Sequence, residues 1–348
     1  ARISTTRICC ANCAFCSFNS YNRVIGNKKW IGRDIEDVYN EVIYIYEKYN
    51  IRSFAFNDGS FEDPGELGKQ RIRKFCELIL SYPVKFHFWC FLRAETFHEK
   101  DRDLIQLMKK AGFTEVLIGI EAGNNDDLKV YNKIAKVEDN KRSINLFSEH
   151  KINVLFGFIM YNPFSTPDTL LQNYHFLTSV NSWRPHTYSS KLALYYETKL
   201  HRQCEEKNLL KKEFSYLEPT EYNFLNNTVA ETWNFIEEYY LPTEIMKKYD
   251  YDLFYFNNFF YNALSAFPEE AGNYFERYDF HMKQIAKILS EFFKVVYLDQ
   301  DLEAARKNIP KLENDMRSTC KSIDTFRFEM TMRKPFKNYL KELFRIKI

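Results

Sequence analysis

The chain has 348 residues, enough for one large α/β domain plus an appended smaller one, with a core that needs no disulfides. Lys and Arg number 49 against 47 Asp and Glu, a formal charge of +2, and no long run of like charge tracks a phosphate backbone, so nucleic acid is not an expected partner. No stretch approaches the roughly twenty apolar residues of a membrane span, and no signal peptide is legible, which makes the cytoplasm the expected location.

Up to about residue 200 short β-rich runs alternate with amphipathic helical stretches, the pattern of a parallel sheet with crossover helices. Strands are predicted over 2–6, 52–57, 85–92, 115–120, 153–160 and 187–194, and helices over 34–49, 66–81, 101–110, 137–150 and 167–178. In the first helix Ile35, Val38, Val42, Ile45 and Tyr49 fall on one face. Six such units can curl into a three-quarter barrel or stay an open doubly wound sheet; both put chemistry at the carboxyl ends of the strands. The cysteine-bearing loop after the first strand belongs to that end, and Asp58 and Glu121, after the second and fourth strands, would point into the same mouth. Beyond Leu200 the composition turns to Glu, Lys, Tyr and Phe with few strand signals, and helices are predicted over 243–267, 273–296 and 301–316. The aromatic residues there, such as Phe254-Tyr255-Phe256 and Phe259-Phe260-Tyr261, read as helix core or as the lining of a substrate or peptide site.

Four of the eight cysteines, Cys9, Cys10, Cys13 and Cys16, fall within the first sixteen residues, a clustering that suggests metal rather than a disulfide framework. Cys9, Cys13 and Cys16 make C-x3-C-x2-C on a strand-to-helix loop, and three soft thiolates so close suit an iron–sulfur cluster or zinc. A structural zinc site closes with four ligands, and no His or Cys follows at finger spacing. Cys10 abuts Cys9 and reads as a loop residue, while Cys76, Cys90, Cys204 and Cys320 are dispersed and read as buried packing.

This spacing, with Phe15 just before the last cysteine, resembles the hallmark of the radical S-adenosylmethionine superfamily. The resemblance implies an α/β fold with a partial (β/α)6 TIM-like barrel over residues 1–200 and a mostly helical C-terminal extension over 201–348. It also implies a [4Fe-4S] cluster on Cys9, Cys13 and Cys16, with S-adenosylmethionine on the open iron and Phe15 near the adenine. Reductive cleavage would then give a 5′-deoxyadenosyl radical that abstracts hydrogen from the substrate. Asp58 lies where family members hydrogen-bond the cofactor's amino group, although a plain Asp-Gly turn is the competing reading.

Gly119-Ile120-Glu121-Ala122-Gly123, followed by Leu128, Asn132 and Lys133, is similar to a longer family segment and points to Glu121 as a cofactor-binding carboxylate, or as one half of an ion pair with a nearby Lys or Arg. Arg93 and Arg142 would bind the cofactor carboxylate or neutralise Glu121. The stretch from Gly157 to Thr166 departs from the family pattern, with Tyr161 and Phe164 where glycines are usual and Ser165 where Glu is usual.

Trp30 to Arg33 and the Glu121 segment resemble the branch whose members carry an upstream cobalamin-binding domain. Because the chain starts at Ala1 with its cysteines almost at once, an upstream segment is expected and cobalamin use stays open. The implied chemistry is methyl transfer or rearrangement at an unactivated carbon of a small-molecule or peptide substrate, with a reductant such as flavodoxin or ferredoxin. The alternatives are an iron–sulfur electron-transfer protein, which would normally close its cluster with four thiolates, and a zinc-binding interaction module.

Overall fold

The structure is a computed structural model that describes residues 1–18, 26, 30–211, 218–333 and 336–337. The chain divides into two compact units, Ala1–Phe176 with Ser190–Ala230, and Leu177–Ser189 with Glu231–Ile348.

The first unit is built on a parallel sheet of five strands, β1 (Arg2–Ile3), β4 (Ser53–Phe56), β5 (His87–Arg93), β6 (Phe113–Glu121) and β7 (Asn153–Phe158), hydrogen-bonded in that order. The crossovers are α1 (Ile35–Tyr49), α2 (Glu66–Ser81), α3 (Arg102–Ala111) and α5 (Val137–Glu149), with the short α4 (Asn125–Val130) ahead of the last. The order never reverses. With one hand for every crossover, a monotonic order puts all the helices on one face, as in a barrel, whereas a doubly wound sheet must switch sides. Accordingly α1 packs on α2, α2 on α3 and α3 on α5 in a single layer.

Period-two alternation sorts each strand between the two faces. In β6, Val116, Ile118 and Ile120 are buried while Leu117, Gly119 and Glu121 are half-exposed on the other side. Beneath the helices the core is a set of phenyl rings: Phe56 stacks on Phe61 at 4.6 Å, and Phe75 and Phe113 each lie 5.2 Å from Phe88. Asp34 caps α1 by accepting from Glu36 N–H, and Asn50 ends it in the left-handed conformation. That helix buries Ile35, Val38 and Val42, but Tyr49 in its last turn is exposed instead of continuing the apolar face.

Two predicted strands differ. The first splits: after Ile3 the chain leaves the sheet, and β2 (Thr6–Arg7) pairs antiparallel with β3 (Ile31–Gly32). The sixth, expected over 187–194, shrinks to a parallel bridge of Tyr161 with Lys191. A 3-10 turn occupies Pro185–Tyr188, and Tyr188 stacks on Phe293 at 4.8 Å within the second unit, while Leu192 and Leu194 are buried in the first. One half of the segment thus serves each core, leaving too little for a strand. The helix α6 (Pro167–Ser179) precedes it, and α7 (Lys199–Glu206) and the start of α8 (Asn227–Phe235) follow.

The second unit is helical. After two π turns at Ile236–Tyr240 and Ile245–Tyr249 come α9 (Asp250–Ala266), α10 (Pro268–Gly272), α11 (Phe275–Tyr297) and α12 (Leu302–Met332). Phe260 stacks on Tyr278 at 4.1 Å, and Phe256 and Phe260 are buried, so these two rings are core, while Phe254, Phe259 and Tyr261 are half-buried and Tyr255 is exposed. The last helix runs far beyond residue 316 because Cys320, Ile323, Phe326 and Met330 continue its buried stripe, with Pro310 accommodated inside. No described helix is long and apolar enough to cross a membrane.

Candidate active site

At the carboxyl ends of the strands lies a cavity of about 340 Å3 whose walls include Cys9, Cys13 and Cys16, Phe15, Asp58, Arg93, Glu121 and Lys133, with Phe91, Leu92 and Leu117 supplying apolar surface. Eight residues expected at the site from sequence are Cys9, Cys13, Cys16, Phe15, Asp58, Arg93, Glu121 and Arg142; all but Arg142 line this cavity. Arg142 instead pairs with Asp139 one turn earlier on α5 at 2.6 Å and donates to the Phe97 carbonyl. Its expected place beside Glu121 is taken by Lys133.

The cysteine turn follows β2 and is entered through Ile8, a β-branched residue at φ 71, a left-handed conformation costing on the order of 1–3 kcal/mol. All eight cysteines are free. Burial pushes the Cys9 thiol well up, and the Asp63 charge adds to it; burial likewise raises Cys13, with Lys133 pulling the other way. Phe15 meets Tyr131 edge-on at 5.5 Å, and Ala14 sits in a buried cluster with Tyr131, Leu194 and Leu200, which anchors the turn by its apolar side. Gly59 allows a close approach here, since a Cβ on it would fall 2.9 Å from that of Cys9. Among the described residues, no three His, Cys, Asp or Glu side chains are drawn together closely enough to hold a single metal ion.

Asp58 is buried and committed to the backbone. Its Oδ1 accepts from the Thr5 and Thr6 N–H groups at 2.7 and 2.8 Å, and its Oδ2 from the Thr5 hydroxyl. Those bonds pin the bend between β1 and β2. Burial raises its carboxyl, and the threonine bonds offset part of that rise.

Glu121 ends β6 at a register shift, with φ 65. The conformation turns its carboxylate over Gly119 and Gly157: a Cβ on Gly119 would lie 2.9 Å from Oε1, and one on Gly157 would lie 3.2 Å from Oε2. Lys133 Nζ is 4.0 Å from Glu121 Oε1 and donates to the Gly119 carbonyl at 3.0 Å. Burial pushes the Glu121 carboxyl up, with Lys133 only partly offsetting it; for Lys133 burial acts downward, but Glu121 and Cys13 outweigh it. The competing ion-pair reading of Glu121 is therefore real, yet both partners still face the cavity. Arg93 is held by three acids, with Nη2 2.7 Å from Asp63, Nη1 3.2 Å from Glu95 and Nε 3.3 Å from Glu62.

Lys133 was not an expected site residue; the sequence signal for it is its place in the segment after Glu121. Beyond β7 the bulky Tyr161 and Asn162 are fully buried, and Asn162 Nδ2 bonds Asp127 and the Tyr131 hydroxyl at 2.8 and 2.9 Å. With Asn124 and Asn173, which also donate to Asp127, this replaces an open glycine turn by a packed polar knot.

A family model described as the Radical SAM superfamily matches residues 3–177, half of the chain. The anaerobic magnesium-protoporphyrin IX monomethyl ester cyclase of Cereibacter sphaeroides is 27% identical over 181 residues, covering 51% of this chain and 28% of that protein. The 4′-phospho-dehydrooxetanocin synthase of Priestia megaterium is 28% identical over 192 residues, covering 50% of this chain and 25% of the other. The matches thus span under a third of these relatives' lengths. The fold resembles that of the cobalamin-dependent S-adenosylmethionine radical enzyme OxsB, with a TM-score of 0.64 and 17% identity over 99% of this chain and 58% of that one. With the family model matched across the strands that carry the cysteine turn and Glu121, the chain belongs to the radical SAM superfamily, enzymes that work with a [4Fe-4S] cluster and S-adenosylmethionine.

Proposed function

We propose that this chain is the catalytic core of a radical SAM enzyme in which Cys9, Cys13 and Cys16 ligate the [4Fe-4S] cluster. The observation that carries the reading is that three free thiols from one turn and the Glu121–Lys133 pair share the wall of a single cavity. Soft thiolates suit iron, and a trio leaves one iron for an exchangeable ligand. When bound, the cluster and S-adenosylmethionine supply a radical able to take hydrogen from an unactivated carbon.

The protein's own residues bind and orient. Glu121 is an acceptor for the cofactor's ammonium or hydroxyl groups and Lys133 a donor for its carboxylate, each strengthened by low solvent access. Phe15 offers an aromatic edge for the adenine, and Phe91 and Leu117 exclude water. Arg93, held by three acids, supports the wall and has little capacity left for a cofactor carboxylate. Asp58 shapes the turn, accepting from its backbone, rather than offering a free carboxylate to the cofactor.

The likeness to OxsB, described as cobalamin-dependent, supports a place in the cobalamin-using branch; methyl transfer or rearrangement of a small molecule or peptide is the reaction we assign to it, and a flavodoxin or ferredoxin the reductant. The test is anaerobic reconstitution with iron and sulfide. A four-iron spectrum that changes when S-adenosylmethionine is added, with 5′-deoxyadenosine formation abolished by Cys13→Ala, is the expected result. Tight zinc binding with no response to S-adenosylmethionine overturns it.

A further inference from the structure

Within the cysteine turn Ala11 N–H reaches the Cys9 sulfur at 3.4 Å, and Cys16 N–H reaches Cys13 O at 3.4 Å. Its firm attachments come from distant parts of the first unit. On one shoulder Cys10 N–H donates to Asp63 Oδ2 at 2.7 Å. The other oxygen of this fully buried carboxylate accepts from Arg93 Nη2 at 2.7 Å, so the Cys10 amide is fastened to the end of β5. On the other shoulder Asn132 Nδ2 donates to Asn12 O at 2.7 Å, and the neighbouring Tyr131 carbonyl accepts from Ala14 N–H at 2.8 Å. Asn132 has φ 54, a conformation that asparagine tolerates and that aims its amide at the turn, one residue before Lys133 enters the cavity.

A carboxylate facing a turn meant to carry thiolates is unfavourable by charge alone. Its hydrogen bond to the Cys10 amide and its ion pair with Arg93 give it a geometric reason to be there. We propose that Asp63 and Asn132 are positioning residues that clamp the two shoulders of the cysteine turn, so that Cys9, Cys13 and Cys16 are arranged for the cluster before it arrives. Neither side chain is a ligand. The clamp lowers the ordering cost that an unsupported loop would incur on binding metal and slows cluster loss.

The proposal rests on the assignment of the three cysteines as cluster ligands, and the experiment separates the two. Full-length wild type, Asn132→Gly and Asp63→Asn are reconstituted anaerobically. Iron loss to a chelator is followed by visible absorbance, and electron paramagnetic resonance spectra of the reduced proteins are compared. Glycine keeps the left-handed backbone and deletes only the amide, so Asn132→Gly remains decisive if Asp63→Asn does not fold. Asn132→Gly is expected to melt with the wild type, to load iron, and to lose it roughly five-fold faster, the loss of about one hydrogen bond. Asp63→Asn is expected to lose it faster still, with a broadened resonance. Wild-type loss rates and spectra in a folded Asn132→Gly overturn the clamp while leaving the cysteine assignment standing. Failure of the wild type itself to take up a cluster removes both.

Discussion

Glu121 shows how one backbone angle places a carboxylate at a cavity wall. A non-glycine residue at positive φ is uncommon, and here it swings a carboxylate from the strand edge into space kept clear by Gly119 and Gly157. Filling that space tests the geometry more gently than deleting the acid. Gly119→Ala would put a methyl within 2.9 Å of Glu121 Oε1 and 3.2 Å of Lys133 Nζ, ends of side chains that are only 15% and 5% exposed. The protein should still fold, with affinity for S-adenosylmethionine reduced about ten-fold, equivalent to about 1.4 kcal/mol. An unchanged Kd by calorimetry would show that the carboxylate does not need that position. At the same scale the sequence was informative where chemistry is local: three cysteines within eight residues line one cavity because a single short turn carries them. It was uninformative about Arg142, because helix α5 supplies Asp139 at i−3 as a nearer partner, and about Asp58, whose backbone donors lie over fifty residues away.

At the scale of elements, β5 joins the site to the core. Its carboxyl end carries Arg93, and its start carries His87, which is 6% exposed and held down at about 4, by burial first and then by the charges of Lys109, Arg52 and Lys85. A histidine that resists protonation only when folded contributes stability that is present at neutral pH and is lost as pH falls. In the unfolded chain His87 takes its proton near pH 6.5, and in the folded chain only near pH 4. Between those values the strand is expected to lose on the order of 3 kcal/mol. Denaturant melts at pH 7 and pH 4.5 should therefore diverge more for wild type than for His87→Gln. Equal pH slopes in the two proteins contradict the assignment. Strand existence was legible from β-branched and aromatic runs, but the sixth strand was not realised, because Tyr188 and Leu192 were claimed by different cores.

For the whole molecule, each compact unit carries its own buried core, one of phenyl rings under a parallel sheet and one of stacked aromatics between long helices. Chains with more than one core depart from two-state behaviour. Calorimetry of the full chain should give a transition broader than its calorimetric enthalpy predicts, or two transitions. A single transition with equal van't Hoff and calorimetric enthalpies would count against independent cores.

The strand and helix periods, the C-x3-C-x2-C spacing and the Glu121 segment were properties of consecutive residues, so the sequence alone determined the α/β class, the order of the units and the chemical nature of the turn. The monotonic strand order, the Glu121–Lys133 pairing and the fastening of the turn by Asp63 and Asn132 depend on groups far apart along the chain. Only the tertiary structure decided them, because desolvation and hydrogen-bond geometry select among partners that the sequence leaves equally available.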